Sequence, residues 1–515
     1  WKKDPKVNPK TAILLAQTIK NYYRSRGFFH TLVTQSEKNG SIEISITEKS
    51  FIQVLDIKTL SKIDLDSTIP FKIGQIFDAQ KFDQSKKDIK LLYANKGYCN
   101  TEIEAKAWID IETNSAYLVY DITPNKLCYF DSIKISPPKD IDADIIKSLL
   151  YIKEEKPFSP YLIAQSYKSL YGHDGISKAI IDTQTQDANK STVNVTVTQN
   201  EKPIRLQVGL GASSDEGMMY SLEVKHRNLF GNLKTLSAST RITDIKKTIK
   251  SDFSMPIKNR NSIGVEIGYE DESFTGFKEE RVLGSITLKQ REINYVSQEA
   301  ILLDNTITYD SQDQDSYPEG QLFVLSPQFK FSYDTRDNIL NPTKGYQLSL
   351  EVMGSILSEI SDATYYKYNL SGTYILPVLP SVLALKMDFG ALKVYNGDVP
   401  ASYRFYAGGM NSNRAYTYRE LGPTNDDGDP EGSNSILEMT LEYRFPIYGK
   451  FRGVLFNDNT FLGDTSYPDD YRGYSSAGFG LRYLTPIGPI AIDVGFAIDN
   501  PLDQYAIHFH IGELF

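Results

Sequence analysis

From about residue 204 to the end, the chain reads as strand after strand with no helical periodicity, and its clearest segments alternate residue by residue. In PIAIDVGFAID (489–499), Ile490, Ile492, Val494, Phe496 and Ile498 share one face, and Ala491, Asp493, Gly495, Ala497 and Asp499 the other. In YAIHFHIGELF (505–515), Tyr505, Ile507, Phe509, Ile511 and Phe515 oppose Ala506, His508, His510 and Gly512. GFGLRYL (478–484) sets Phe479, Leu481 and Tyr483 against Gly478, Gly480 and Arg482. A soluble sandwich would turn the apolar face inward, whereas a membrane barrel turns it to lipid. Three features favour the barrel. The strands run about 9–12 residues, enough to cross a bilayer with tilt. Gly, Asp, Arg and His on the polar faces suit a wet lumen. Tight turns at 485–489 and 445–451 alternate with long ones at 395–434 and 462–474. The reading gives about sixteen antiparallel strands, and an even number returns the last strand beside the first, as lipid requires.

A net charge of −9 argues against a nucleic-acid binder. There is no run of about 18 apolar residues, so no transmembrane helix is expected; strand-built membrane proteins keep a low average hydropathy and stay open. No signal peptide is visible and Trp1 is not a natural start, so the chain reads as mature or truncated.

The front of the chain repeats. TAILLAQTIKNYYRSRGFFHT (11–31), DAQKFDQSKKDIKLLYANKGYCNT (78–101) and FSPYLIAQSYKSLYGHDGISKA (158–179) are amphipathic helices, each ending in Tyr-x-x-x-Gly. Asp78 and Ser159 are candidate N-caps, with Pro160 at a first helical position. Gly27, Gly97 and Gly175 are expected to supply the left-handed residue that stops each helix. Two alternating strands follow each helix, the first pair around Asn39-Gly40, a strong hairpin signal. Extended runs precede the second and third helices (51–60, 128–136) but not the first, which suggests a first unit cut at its N-terminus. A period of about 70–80 residues makes each repeat a small α+β domain.

The repeated order of strand, helical region, helix, strand and strand resembles POTRA domains. With the barrel, it resembles the POTRA-plus-barrel superfamily of outer-membrane assembly and secretion proteins. Three motifs carry the likeness: FSYDTRDNILNPTKGYQLSLEV (331–352), RFYAGGMNSNRAYTYRELGP (404–423) and GFGLRYLTPIGPIAIDVGFAID (478–499). The expected domains are a partial POTRA unit at 1–50, two more at 51–125 and 126–203, and a transmembrane barrel at 204–515 with an inward-folding loop at 395–434. Three POTRA units are most similar to the TamA-like branch, since BamA-type proteins usually carry five and two-partner secretion transporters two.

The resemblance also assigns residues. The family loop usually reads Val-Arg-Gly-Phe/Tyr and folds into the lumen. It implies that Arg414, with Tyr416 beside it, latches onto Glu442 in LEYRFP and Asp458 in LFNDNT; the plain alternative is a solvated loop arginine. Guanidinium pairs bidentately with carboxylate, which makes such a contact selective. Asn413 stands where Val is usual and Ala415 where Gly is usual, so a differently shaped tip is expected. Phe509 and Phe515 resemble the C-terminal signal by which such barrels are recognised for assembly. Gly209, Gly211 and Gly512 weaken the first and last strands and, by resemblance, mark a lateral gate; relief of crowding is the other reading.

The function implied is a non-enzymatic, TamA-like assembly factor of the bacterial outer membrane, with its POTRA domains in the periplasm. Its clients would be unfolded β-barrel and autotransporter-type proteins. Its partners would be outer-membrane lipid and a TamB-like periplasm-spanning inner-membrane protein. A two-partner secretion pore, a BamA-type general insertase and a passive porin are alternatives. No hydrolase elbow or zinc spacing occurs, and no metal or cofactor is expected. His508 and His510 read as lumenal, and the acidic loops at 312–316 and 424–432 lack the spacing of a calcium loop. Cys99 and Cys128 lie in a compartment that permits a disulfide, but sequence does not place the sulfurs.

Overall fold

A computed structural model describes residues 9–511, apart from 39–40, 188, 356–358, 469–472 and 486–487. The first module is helix α1 (Pro9–Ser25) and the hairpin β1 (Leu32–Lys38) with β2 (Ser41–Thr47). The Asn39-Gly40 turn lies outside the described residues. The second contains β3 (Gln53–Leu60), α2 (Ala79–Asn95), β4 (Glu102–Asp110) and β5 (Ser115–Thr123), in the sheet order β3-β5-β4. Helix α2 starts where it does because the Asp78 carboxylate accepts the amides of Gln80 and Lys81 at 2.9 and 3.0 Å. Its buried face, Phe82, Ile89 and Tyr93, packs on Ile52, Val54, Leu118 and Tyr120. The third contains β6 (Tyr129–Ser136), α3 (Ala143–Leu149), α4 (Pro160–Tyr171), β7 (Ile176–Asp187) and β8 (Lys190–Gln199), in the order β6-β8-β7.

The repeat includes the joints. Gly27 and Gly97 take φ of +90° and +96°, and their carbonyls accept the amides of Ile52 and Cys128, both at 2.8 Å. Each joint also ties the end of one helix region to the start of the next helix. Arg26 donates to the Asp78 cap at 2.7 Å, and Asn95 Oδ1 accepts from the Tyr161 amide at 2.8 Å. The Cys99–Cys128 disulfide, with Cα atoms 5.8 Å apart, lies at the second joint. Gly175 differs from the expectation. It is not among the residues with positive φ. Space is its requirement, because a Cβ there would stand 2.8 Å from the Arg227 carbonyl oxygen.

Sixteen strands follow, from β9 (Ile204–Ser213) to β24 (Tyr505–Ile511), in a single antiparallel sheet that keeps chain order. Burial is inverted relative to a soluble protein. On β23 (Gly488–Ala497) and β24, Ile492 is 47% and Ile507 60% exposed, while Asp493 and His508 are 0% and 2% exposed. The apolar face points out and the charged face in, which fits lipid outside and a lumen inside. Among the described residues no helix is long and apolar enough to cross a membrane.

Candidate functional site

The loop between β19 (Ser381–Gly397) and β20 (Ser435–Tyr448) turns into the lumen and is seated there. Its sharpest bend needs Gly408 and Gly409, at φ +98° and +101°, where a Cβ on Gly408 would meet the Thr417 carbonyl oxygen at 2.3 Å. The bend delivers Arg414, which is fully buried. Arg414 Nε and Nη2 grip the two carboxylate oxygens of Asp458 on β21 (Phe451–Gly463), each at 2.9 Å. Nη1 donates to Glu442 of β20 at 3.0 Å and to Asp493 of β23 at 3.2 Å. The guanidinium carbon lies 3.4 Å from the Phe456 ring centroid, a cation–π contact. Gly495 clears the way, since a Cβ there would stand 2.2 Å from the Arg414 carbonyl oxygen.

The structure thus brings Arg414 to both carboxylates assigned from the sequence and adds three charged groups. Arg444 donates to Glu442 at 2.8 Å. Arg482, on β22 (Tyr474–Thr485), pairs with Asp493 through both its terminal nitrogens, one of them at 3.0 Å. Three guanidinium groups therefore face three carboxylates, and no charge in this cluster is left alone, as burial demands. Asp493 and Arg482 were visible in the sequence as polar-face residues, without a signal for their partner. Tyr416 packs edge-on against Tyr474, with centroids 5.9 Å apart, beside Ala407, Leu421 and Ile436. Asn413 and Ala415 fit the tip without positive φ: Asn413 Nδ2 donates to the Tyr474 carbonyl at 2.9 Å, and its Oδ1 accepts the Ala415 amide at 3.3 Å.

The opposite wall holds the loop too, which sequence reasoning missed. Tyr403 donates to Asp304 of β15 (Tyr295–Tyr309) at 2.8 Å, and Arg281 of β14 (Phe277–Arg291) pairs with the same carboxylate. Lys367 Nζ donates to the Tyr403 carbonyl at 2.7 Å. Further along, Arg419 reaches Glu272 at 2.8 Å, and Tyr317 donates to the Pro430 carbonyl at 2.7 Å. The loop spans the lumen from wall to wall.

Among the described residues the seam between β9 and β24 is sparse. The sheet runs from β24 to β9 with these strands as its two ends, and no ladder joins them among the described residues. Among the described residues one backbone hydrogen bond crosses, from the Ser214 amide to the carbonyl of Phe509, at 3.3 Å. Ser214 Oγ and Asp215 Oδ1 approach His508 Nδ1 at 3.1 and 3.3 Å. The loop touches both sides of this gap: Met410 donates its amide to Asp215 at 3.0 Å, and Gln504 donates to the Ala415 carbonyl at 2.9 Å. Gly209 and Gly211 face β10 (Gly217–His226), where a Cβ would meet Ser221 Oγ at 2.3 Å and Met219 Cε at 3.1 Å. The contact at Gly209 is tight, whereas the one at Gly211 is with the movable end of the Met219 side chain. Phe509 is on the lipid-facing side of β24, whereas Gly512 and Phe515 lie outside the described residues.

Periplasmic-type α+β modules ahead of a sixteen-stranded barrel with a seated inner loop define an outer-membrane POTRA-barrel protein. The Omp85 superfamily domain matches residues 193–515, so the chain belongs to the Omp85 superfamily. A POTRA model, described as a surface antigen variable number repeat, matches 54–125. The chain is 21% identical over 583 aligned residues to the outer membrane protein assembly factor BamA of Neisseria meningitidis, covering 97% of this chain and 72% of that protein. It is 24% identical over 489 residues to BamA of Nitratidesulfovibrio vulgaris, covering 88% of this chain and 61% of the relative. Among solved structures, BamA from Haemophilus ducreyi lacking POTRA domains 1–3 matches with a TM-score of 0.61 at 17% identity, over 89% of this chain and 99% of that one. CdiB from Escherichia coli matches with 0.51 at 14%, over 98% of each. The chain is an outer-membrane protein with its POTRA region in the periplasm.

Proposed function

We propose that this chain is a non-enzymatic assembly factor that promotes folding, insertion or translocation of β-barrel and autotransporter-type proteins through a lateral gate between β9 and β24. The seam carries this reading: among the described residues one backbone hydrogen bond crosses it, and strands joined so thinly there can part and offer their edges to a client strand. The seated loop supports it from inside, because its contacts to Asp215 and from Gln504 bracket the same gap. A lumen crossed by a loop suits a passive porin poorly. The three-module front favours a TamA-like role with a TamB-like periplasm-spanning partner bound through the POTRA units. The names of the curated relatives favour a BamA-type general insertase as second reading.

The test is a cross-link across the seam. Ser214→Cys with His508→Cys, in a Cys99→Ser/Cys128→Ser background, is reconstituted and assayed for assembly of a barrel client, oxidised and reduced. Assembly lost on oxidation and regained on reduction is the expected result. Unchanged assembly with an efficient cross-link would remove the gate and favour passage through the lumen.

A further inference from the structure

At the end of the barrel where β9 leaves the third module, a cavity of about 250 Å³ opens among the turn after α4, the end of β10 and the adjoining ends of β12 (Lys246–Pro256), β13 (Ser262–Phe274) and β14. Five cationic side chains line it, Lys225, Arg227, Arg260, Lys289 and Arg291, against two carboxylates, Asp174 and Asp252. Asp174 is committed to Arg205 and Lys225, both at 3.1 Å. Arg260 is paired with Glu292 at 2.6 Å. Arg227, Lys289 and Arg291 have no carboxylate within ion-pair distance among the described residues, and Arg227 Nε is buried without a hydrogen-bond acceptor. Three unpaired cations thus meet one unpaired carboxylate, Asp252. The field is felt nearby: burial, then Arg291 and Lys225, push the His173 imidazole down to about 4, so it adds no charge at neutral pH.

We propose that this cavity is a binding site for a phosphate-class anion. Lys289 and Arg227 are half-buried and Arg291 is exposed at the mouth, and the excess of positive charge, with the buried Arg227 Nε lacking an acceptor, calls for a negative ligand. Lys289 and Arg291 come from β14 and Arg227 from just past the end of β10, and they are joined by the hydroxyls of Ser254 and Ser262 and the amide of Asn261. A tetrahedral anion accepts from several directions at once, whereas a planar carboxylate is best matched by one guanidinium fork. The volume is below the roughly 300–1,000 Å³ of sites for drug-sized ligands, which suits a compact group. Free phosphate and a phospholipid headgroup share this chemistry.

The experiment is calorimetric titration of the full chain in a zwitterionic detergent with inorganic phosphate, at constant ionic strength set by chloride. Saturable binding is expected, weakened about tenfold or more in Lys289→Gln/Arg291→Gln, a loss of about 1.4 kcal/mol or more. If that variant does not give the heat-modifiable folded band, Arg227→Gln decides in its place. The source is separated in nanodiscs. Phosphate binding retained in phosphatidylglycerol discs assigns the site to soluble phosphate; binding abolished there, yet present in phosphatidylcholine discs, assigns it to an anionic headgroup. No heat beyond the chloride blank, equal binding by wild type and variant, or binding of an acidic peptide without phosphate would each overturn the proposal.

Discussion

Arg414 donates to three carboxylates from three strands, so its loss leaves Glu442, Asp458 and Asp493 with two cations in place of three. Removing one partner of a buried ion pair costs about 3–5 kcal/mol. Arg414→Ala is therefore expected to lower the temperature at which the folded, heat-modifiable band disappears on a gel. Arg414→Lys should recover only part of the loss, because a single ammonium cannot hold both Asp458 oxygens and reach Glu442. Equal melting of wild type and Arg414→Ala would show that the cluster does not secure the barrel.

At the scale of elements, the joints between modules carry two predictions. Burial pushes the Asp78 carboxyl up, but the Lys81 and Gln80 amides and the Arg26 guanidinium outweigh it and hold it below its usual value. A carboxyl depressed on folding adds stability above its unfolded value of about 3.9, and that stability is lost as pH falls through the folded value. Amide exchange in the first turn of α2 should thus be more protected at pH 6 than at pH 3, after correction for intrinsic rates. In Asp78→Asn this difference should shrink. The disulfide closes a loop with a sequence separation of 29, and bonds of this kind typically contribute about 2–4 kcal/mol. Reduction, or Cys128→Ser, should speed proteolytic cleavage near residues 125–128; an unchanged digest would show that hydrogen bonding alone secures the joint. Much of this level was legible beforehand. Asp78 announced a cap, and alternation separated the lipid face from the lumen face along 489–499. Glu442 and Asp458 could be assigned because motifs fix their places. Tyr403 and Asp304 could not, since no periodicity tells which wall a loop tyrosine will meet 99 residues away in sequence. Gly175 was read as a helix stop because a glycine needed for space looks the same in sequence as one needed for φ.

For the whole molecule, a loop anchored at Asp304 on one wall and at Asp458 on the other lies across the lumen. Planar-bilayer recordings should show small, infrequent conductance from the intact chain. Tyr403→Phe combined with Arg414→Ala should raise it, because one contact to each wall is lost and the loop is held only by the remaining ones, among them Arg419–Glu272 and Tyr317–Pro430. Large steady conductance from the intact chain would argue that the loop does not occupy the lumen in a membrane.

The outer membrane passes small ions freely, so its periplasmic side follows the salinity of the surroundings. An exposed ion pair weakens as the Debye length shrinks from about 10 Å at 0.1 M salt towards 3 Å at 1 M. The three guanidinium and three carboxylate groups around Arg414 are all at most 6% exposed, with no layer of mobile counter-ions between them. The seating of the loop is thereby insulated from the medium, and a bacterium moving between fresh and briny water would carry the same internal fastening through both.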